Sequence, residues 1–124
     1  ARPLSIPLVD NEEIVRVGTA EMIRDLGHKV EEANGGAEAL AKLAGGLAVD
    51  IVVTDYKMPR MDGAELTRRV RETHPGIPVL LITGYTGPTD EIVNLPRLAK
   101  PFGQTEIAAA LAGLFTDDDN PAFA

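Results

Sequence analysis

Carboxylates, an amide, a hydroxyl and a lysine follow short apolar segments at several points of this 124-residue chain. Asp10 and Asn11 come directly after one such segment, and Asp55 comes after another. Thr83 and Lys100 follow two more. If these segments are neighbouring parallel strands, their carboxyl ends share one edge of a sheet, which is where ligands bind in open α/β folds. The sequence therefore predicts a polar site at that edge.

The residue types in this set favour phosphate chemistry. Oxygen ligands without thiolates or clustered imidazoles select a hard cation such as Mg²⁺, and the chain has no cysteine and two histidines. A carboxylate such as that of Asp55 can attack phosphorus and form an aspartyl phosphate. Mg²⁺ and the Lys100 ammonium would neutralise charge on the transferred group, and the Thr83 hydroxyl could bond one of its oxygens.

Each of these residues also has a purely structural interpretation. Asp10 or Asn11 could cap the helix that follows, and Asp55 could belong to a turn. Thr83 could simply end a strand, and Lys100 could be a solvated charge. Each structural interpretation is favoured when its residue is taken alone, but four such coincidences at one edge favour a functional site.

Short apolar segments alternate with segments of helical period along the chain. Strands are predicted over residues 4–9, 28–33, 50–54, 77–83 and 97–99, and helices over 12–26, 36–44, 63–73 and 104–115. Such alternation builds an α/β fold in which helices cover both faces of a parallel sheet. Pro7 is unusual inside a strand, so the first strand is expected to start late or to be bulged there.

Composition excludes several classes of protein. The chain has 12 basic and 19 acidic side chains and a net charge of −7, which disfavours nucleic-acid or acidic-membrane binding. No apolar stretch reaches the length of about 18 residues that a membrane span needs, and residues 1–9 do not resemble a signal peptide. We expect a cytoplasmic protein with one domain over residues 1–116 and an acidic tail or linker over 117–124.

Four sequence motifs occur in a fixed order. V-D-N-E-E covers residues 9–13 and D-Y-K-M-P-R-M-D-G covers 55–63, followed by L-I-T-G-Y at 81–85 and A-K-P-F at 99–102. Together they resemble the acidic, phosphorylation-site, switch and Lys-Pro motifs of response-regulator receiver domains, and the resemblance extends over residues 4–115. It implies a flavodoxin-like, doubly wound sheet of five parallel strands in the order 2-1-3-4-5, and a cis bond between Lys100 and Pro101.

The resemblance also implies roles for individual residues. Asp55 would be the phosphoacceptor, Thr83 would move toward the phosphoryl group, and Lys100 would pair with Asp55 and then with the phosphate. Mg²⁺ would be held by four groups: Asp10, Asn11, Asp55 and the backbone carbonyl of Lys57. The partner would be a sensor histidine kinase or a histidine phosphotransfer domain, docking near Arg16 and Ile23. The domain would be a monomer or weak dimer, and a switch rather than an enzyme.

The chain departs from the family pattern at three places. Asn11 stands where a second acid is usual, which predicts weaker Mg²⁺ binding with partial compensation by Glu12. Arg97 replaces a common aromatic residue, and would either reach an acid or be solvated. Lys100 follows Thr83 by only 17 positions, so the helix between the fourth and fifth strands should be short, over 89–93, or missing. That short segment, T-G-Y at 83–85 and L-P-R-L-A-K-P-F at 95–102 together look most like receivers attached to sensor histidine kinases, so we expect a hybrid-kinase receiver or a stand-alone one rather than a transcription factor.

Two other functions compete with the phosphorylation switch. A phosphatase of the haloacid-dehalogenase kind needs an acid two residues after its aspartate nucleophile, and Lys57 occupies that position. A degenerate receiver that binds partners without switching is favoured by Asn11 and Arg97. Nucleotide-binding glycine motifs do not occur in the sequence.

Overall fold

Parallel pairing joins five strands into one sheet in the computed structural model, which describes residues 3–84 and 95–115. The strands are β1 (Ser5–Val9), β2 (Lys29–Ala33), β3 (Val52–Asp55), β4 (Val79–Thr83) and β5 (Arg97–Ala99). The helices in the described ranges are α1 (Glu13–Asp25), α2 (Gly36–Ala44), α3 (Gly63–Thr73) and α4 (Gln104–Phe115). The strand order is β2-β1-β3-β4-β5, so the predicted doubly wound, flavodoxin-like sheet is confirmed.

Two predictions fall on parts of the chain outside these described residues. They are the short helix over 89–93 and the acidic tail over 117–124. Within the described ranges, none of the helices combines the length and hydropathy needed to cross a membrane.

The sheet separates two apolar clusters. Every residue of β3 and β4 is buried. This agrees with their continuous apolar sequences, which are typical of strands covered on both faces. One cluster packs β-sheet side chains against Ile23 of α1 and Ile107 of α4. The other packs them against Leu43 of α2 and Leu66 of α3. Covering both faces leaves the carboxyl edge of the sheet as the place where polar groups meet.

Pro7 lies inside β1 in unbroken register with β2, so the predicted late start or bulge is wrong. Backbone groups face alternate sides along a strand. The Ser5 carbonyl accepts from the Asp50 N–H at 2.7 Å on the β3 side, so the Pro7 nitrogen faces β3 as well. Pairing with β3 begins only at Leu8, opposite Val53. The N–H that proline lacks is therefore not needed by either neighbouring strand.

Candidate functional site

Three buried polar side chains lie at the carboxyl ends of neighbouring strands. Asp10 follows β1, Asp55 ends β3 and Thr83 ends β4, and their exposed fractions are 3%, 5% and 4%. The order β1-β3-β4 places these strand ends side by side, as the sequence predicted. Burial of carboxylates is costly unless they are paired or hydrogen-bonded, so their partners define the site.

Lys100 supplies the cation for these carboxylates. Its backbone N–H donates to the Thr83 carbonyl at 3.0 Å, directly after the β4–β5 pairing. Its Nζ lies 3.3 Å from Oδ1 of Asp55 and 3.6 Å from Oδ2 of Asp10. A third carboxylate, that of Glu12, lies 3.6 Å from the same Nζ. The expected Lys100–Asp55 pair is therefore present, and the expected cis bond to Pro101 is present too.

The charges of this cluster shift the acid–base behaviour of its members. Burial raises the pKa of Asp55, the Asp10 carboxylate raises it further, and Lys100 only partly offsets both effects. Burial would lower the pKa of Lys100, but the carboxylates of Asp55, Asp10 and Glu12 outweigh it and hold the pKa above its ordinary value. The site therefore carries excess negative charge, which a further cation would relieve.

Three carboxylates of the site are placed to share a metal ion. Asp10, Glu12 and Asp55 each offer an oxygen within 4.8 Å of the others. A set made only of oxygen donors suits Mg²⁺. Glu12 is mostly exposed, so this acidic triad, as we call the three residues, opens to solvent on one side. The donor set fits the ion that the family resemblance implies.

The main chain before α1 is held by Asp10 rather than by a helix cap. The N-cap residue of α1 is Glu12, and it makes no side-chain cap bond. Instead Oδ1 of Asp10 accepts from the Glu12 N–H at 2.9 Å. The capping interpretation of Asp10 therefore does not apply, since the bond fixes the loop before the helix.

Asn11 and Lys57, two of the expected metal ligands, are both exposed. Asn11 lines a cleft of about 530 Å³ between the start of α2 and the loop after β3. Asn34 and Arg60 line the same cleft. Neither Asn11 nor Lys57 belongs to the acidic triad, and the roles of these two residues as magnesium ligands stay predictions.

The loop after β3 closes at its base. The Gly63 N–H donates to the Tyr56 carbonyl at 2.7 Å, so the chain returns to the strand end before α3 begins. Oδ1 of Asp62 accepts from the Glu65 N–H at 2.8 Å and caps α3, as expected for an aspartate at this position. Arg60, within the loop, has a φ of 69°.

The side chain of Arg16 contacts the main chain of the site, at Asp10, and the sequence did not indicate this contact. One guanidinium nitrogen donates to the Asp10 carbonyl at 2.9 Å and lies 3.3 Å from the Asn34 side chain. Asp10 lies before α1 begins, so helical periodicity gives no signal for this contact. Ile23, also expected at a docking face, is fully buried, so that expectation is wrong for Ile23.

Arg97 lies exposed on β5. It forms no ion pair with an acid in the described ranges, which leaves the solvated interpretation in place for that part of the chain. Tyr85, in the switch motif, lies outside the described residues.

The fold and the site define a class of protein. Residues 6–112 match the family described as response regulator receiver domain. The chain belongs to this family, which makes it a receiver domain of two-component signalling.

Relatives with this domain have several architectures. The chain is 37% identical over 123 residues to Sensor kinase CckA of Brucella abortus (strain 2308), covering 93% of this chain and 13% of that protein. It is 32% identical over 127 residues to Response regulator MprA of Mycobacterium sp. (strain KMS), covering 96% and 55%. The chain thus spans only part of the length of each of these relatives.

Solved structures have the same fold. Chemotaxis protein CheY4 of Vibrio cholerae superposes with a TM-score of 0.83 at 29% identity, over 92% of this chain and 99% of that one. The receiver domain from Hybrid Histidine Kinase CckA superposes with a TM-score of 0.76 at 29% identity, over 89% and 97%. Similarity therefore extends both to a chemotaxis response regulator and to a hybrid-kinase receiver.

Proposed function

We propose that this domain accepts a phosphoryl group on Asp55 from a phosphohistidine of a sensor histidine kinase or a histidine phosphotransfer domain. The observation that carries the proposal is the buried carboxylate of Asp55, which belongs to the acidic triad and lies 3.3 Å from the Lys100 ammonium. The likeness to CckA further supports a hybrid-kinase context, and the function implies a cytoplasmic location.

The transfer is a nucleophilic substitution at phosphorus. An Asp55 carboxylate oxygen forms the new O–P bond while the N–P bond of the donor phosphohistidine breaks, and the electron pair of that bond returns to the imidazole. Lys100 stabilises the charge on the transferred phosphoryl oxygens. Burial and the Asp10 carboxylate raise the pKa of Asp55, while Lys100 opposes this shift and favours the ionised carboxylate that attacks phosphorus.

Mg²⁺ would be held by Asp10 and Asp55, with the Lys57 carbonyl, Asn11 and Glu12 as the remaining candidates. When bound, this ion neutralises charge on the phosphoryl group. Asp10 and Asp55 repel one another in its absence, which supports a cation between them. The Asn11 amide is neutral, so the third carboxylate available to the ion is that of Glu12.

The response to phosphorylation is a change of conformation at the carboxyl end of β4. A phosphoryl group adds a charge of about −1.5 to −2. Thr83, at the end of β4, donates its hydroxyl to a phosphoryl oxygen, and Lys100 follows the new charge. A backbone hydrogen bond joins these two residues, since the Lys100 N–H donates to the Thr83 carbonyl. Phosphorylation thereby shifts the population of that surface from one conformation to another.

An amide NMR titration tests this proposal. Mg²⁺ is added first and beryllofluoride second, because beryllofluoride stands in for a phosphoryl group on Asp55. We expect saturable shifts at Asp55, Thr83 and Lys100 that require both additions. Asp55→Asn, which keeps the side-chain shape, is expected to abolish the response to beryllofluoride. A native chain that gives no response at millimolar Mg²⁺ would instead support the degenerate receiver.

A further inference from the structure

A guanidinium ties the loop that carries the acidic triad to the neighbouring strand. Arg16 Nη1 donates to the Asp10 carbonyl at 2.9 Å, and Nε donates to Oε1 of Glu32 at 3.1 Å. The Arg16 side chain is 15% exposed, so these bonds are shielded from water. Glu32 belongs to β2, and Asn34, a further partner of Arg16, follows that strand. One side chain therefore connects the ends of β1 and β2.

The position of Arg16 is not explained by helix stability. It lies in the first turns of α1, where the positive end of the helix dipole disfavours a cation. Arg24, at the other end of α1, is favourably placed and also reaches Glu32, at 3.4 Å. Arg24 also donates to a backbone carbonyl, that of Val30 at 3.1 Å, so the two arginines differ in that Arg16 holds the carbonyl of a site residue, Asp10.

That bond fixes the peptide unit between Asp10 and Asn11. The Asp10 N–H is also held, by the Ala33 carbonyl at 3.1 Å, and its carboxylate accepts from Glu12. With both backbone groups of Asp10 bonded, its side chain has little freedom other than rotation about its own bonds. The direction of the Asp10 carboxylate toward Lys100 therefore depends on Arg16.

We propose that Arg16 is a positioning residue for Mg²⁺ binding: it orients the Asp10–Asn11 peptide so that the carboxylates of the acidic triad converge. This inference rests on the proposed function. Partners that orient metal ligands from outside the coordination shell affect metal affinity by about tenfold or more. Arg16 acts in this way through the ligand's main chain.

The test compares Mg²⁺ affinities of Arg16→Met and Arg24→Met with the native chain, by amide NMR titration. Both variants lose one positive charge and one contact to Glu32. Loss of a nearby cation by itself strengthens the attraction of an acidic site for Mg²⁺. We expect a Kd about tenfold higher for Arg16→Met, and a Kd within about twofold of native, or lower, for Arg24→Met. Loss of positioning raises the Kd for Mg²⁺, whereas loss of a nearby positive charge lowers it, so the direction of the change distinguishes the two effects.

Urea unfolding of the same variants accompanies the titration, because a merely structural role lowers stability without changing the Kd of the folded protein. If Arg16→Met does not fold, Arg16→Lys takes its place, since it keeps the positive charge but lacks the fork of donors that reaches the Asp10 carbonyl and Glu32 together; a Kd about threefold higher is then expected. An unchanged or lower Kd in the folded variant overturns the role of Arg16. A native chain that does not bind Mg²⁺ overturns the proposed function instead.

Discussion

A Cβ atom at Gly63 would lie 2.5 Å from the main-chain oxygen of Asp55. It would also lie 2.8 Å from Cδ2 of Leu81 in β4. The first residue of α3 thus approaches the end of β3 at a distance that excludes any side chain. Here glycine is required for the close approach of two backbone segments and not for a positive φ.

Gly63→Ala is therefore expected to lower the free energy of unfolding by about 1–3 kcal/mol, as overpacking against backbone does. Urea unfolding measures the change. Gly18→Ala in α1 is the matched control, because a Cβ there meets nothing within 4 Å. Alanine is the better helix former, so Gly18→Ala should raise stability by about 0.5–1 kcal/mol. Equal effects of the two substitutions would contradict the packing argument.

Arg60→Gly is expected to stabilise the protein. Arg60 has a φ of 69° and is the central residue of a tight turn, in which the Met61 N–H donates to the Pro59 carbonyl at 2.7 Å. A left-handed backbone costs a residue with a side chain about 1–2 kcal/mol, and the greater freedom of unfolded glycine offsets part of the gain. We expect a net gain of about 0.5–1 kcal/mol by thermal or urea unfolding.

The matched control for that substitution is Arg71→Gly, in the last turn of α3. Glycine in a helix costs about 1 kcal/mol, so the sign should reverse. A loss of stability from Arg60→Gly would show that the arginine side chain, and not its backbone, determines the energy at position 60.

Without Mg²⁺, Asp55→Asn should make the folded chain more stable at pH 7. Burial and the Asp10 charge raise the pKa of Asp55 in the folded state. An acid with a raised pKa destabilises the fold above that pKa, and the penalty disappears as pH falls toward the ordinary value of about 3.9. The stability difference between variant and native chain should therefore shrink from pH 7 to pH 4.

Urea unfolding across that pH range measures the difference, and Glu21→Gln is its control. Glu21 is exposed in the middle of α1 and carries the same charge, so its removal should change stability by less than about 0.5 kcal/mol at any of these pH values. An Asp55→Asn variant that is less stable than the native chain at pH 7, with a deficit that shrinks as the pH falls, would show that folding stabilises the charged form of Asp55.

Asn11→Asp is expected to bind Mg²⁺ about tenfold more tightly than the native chain, because a carboxylate replaces a neutral amide beside the acidic triad. Isothermal titration or amide NMR gives the Kd. Ala37→Asp adds the same charge to the same cleft from an exposed position of α2 and should change the Kd by less than about threefold. Equal tightening by both variants would mean that net charge, and not ligation, sets the affinity.

Much of the fold could be predicted from residue periodicity. The boundaries of α2, α3 and α4 agree with the predicted helices, since glycines, Asp62 and the sequence after Thr73 mark their ends. The register around Pro7 could not be predicted, because it depends on which neighbour the nitrogen faces. That orientation is set by the pairing of whole strands and has no local signal.

The site could be predicted in part. The convergence of Asp10, Asp55, Thr83 and Lys100 follows from strand order and strand ends, which the apolar pattern determines. The contact of Arg16 with a backbone carbonyl could not be read in this way. It requires the rotation of α1 about its axis, which is fixed by tertiary packing rather than by the order of residues.

The bond from Gly63 to the Tyr56 carbonyl has a consequence for engineering. Residues 57–62 leave and re-enter the fold at one point, so residues 57–61 can be exchanged as a cassette if the grafts keep Met58 and Met61, which pack against the apolar cluster beside α2 and α3. Grafts of the same length from other receivers would keep Asp62 as the anchor of α3 while replacing Lys57. A series of such chimaeras would measure how much this loop contributes to Mg²⁺ affinity on one unchanged scaffold.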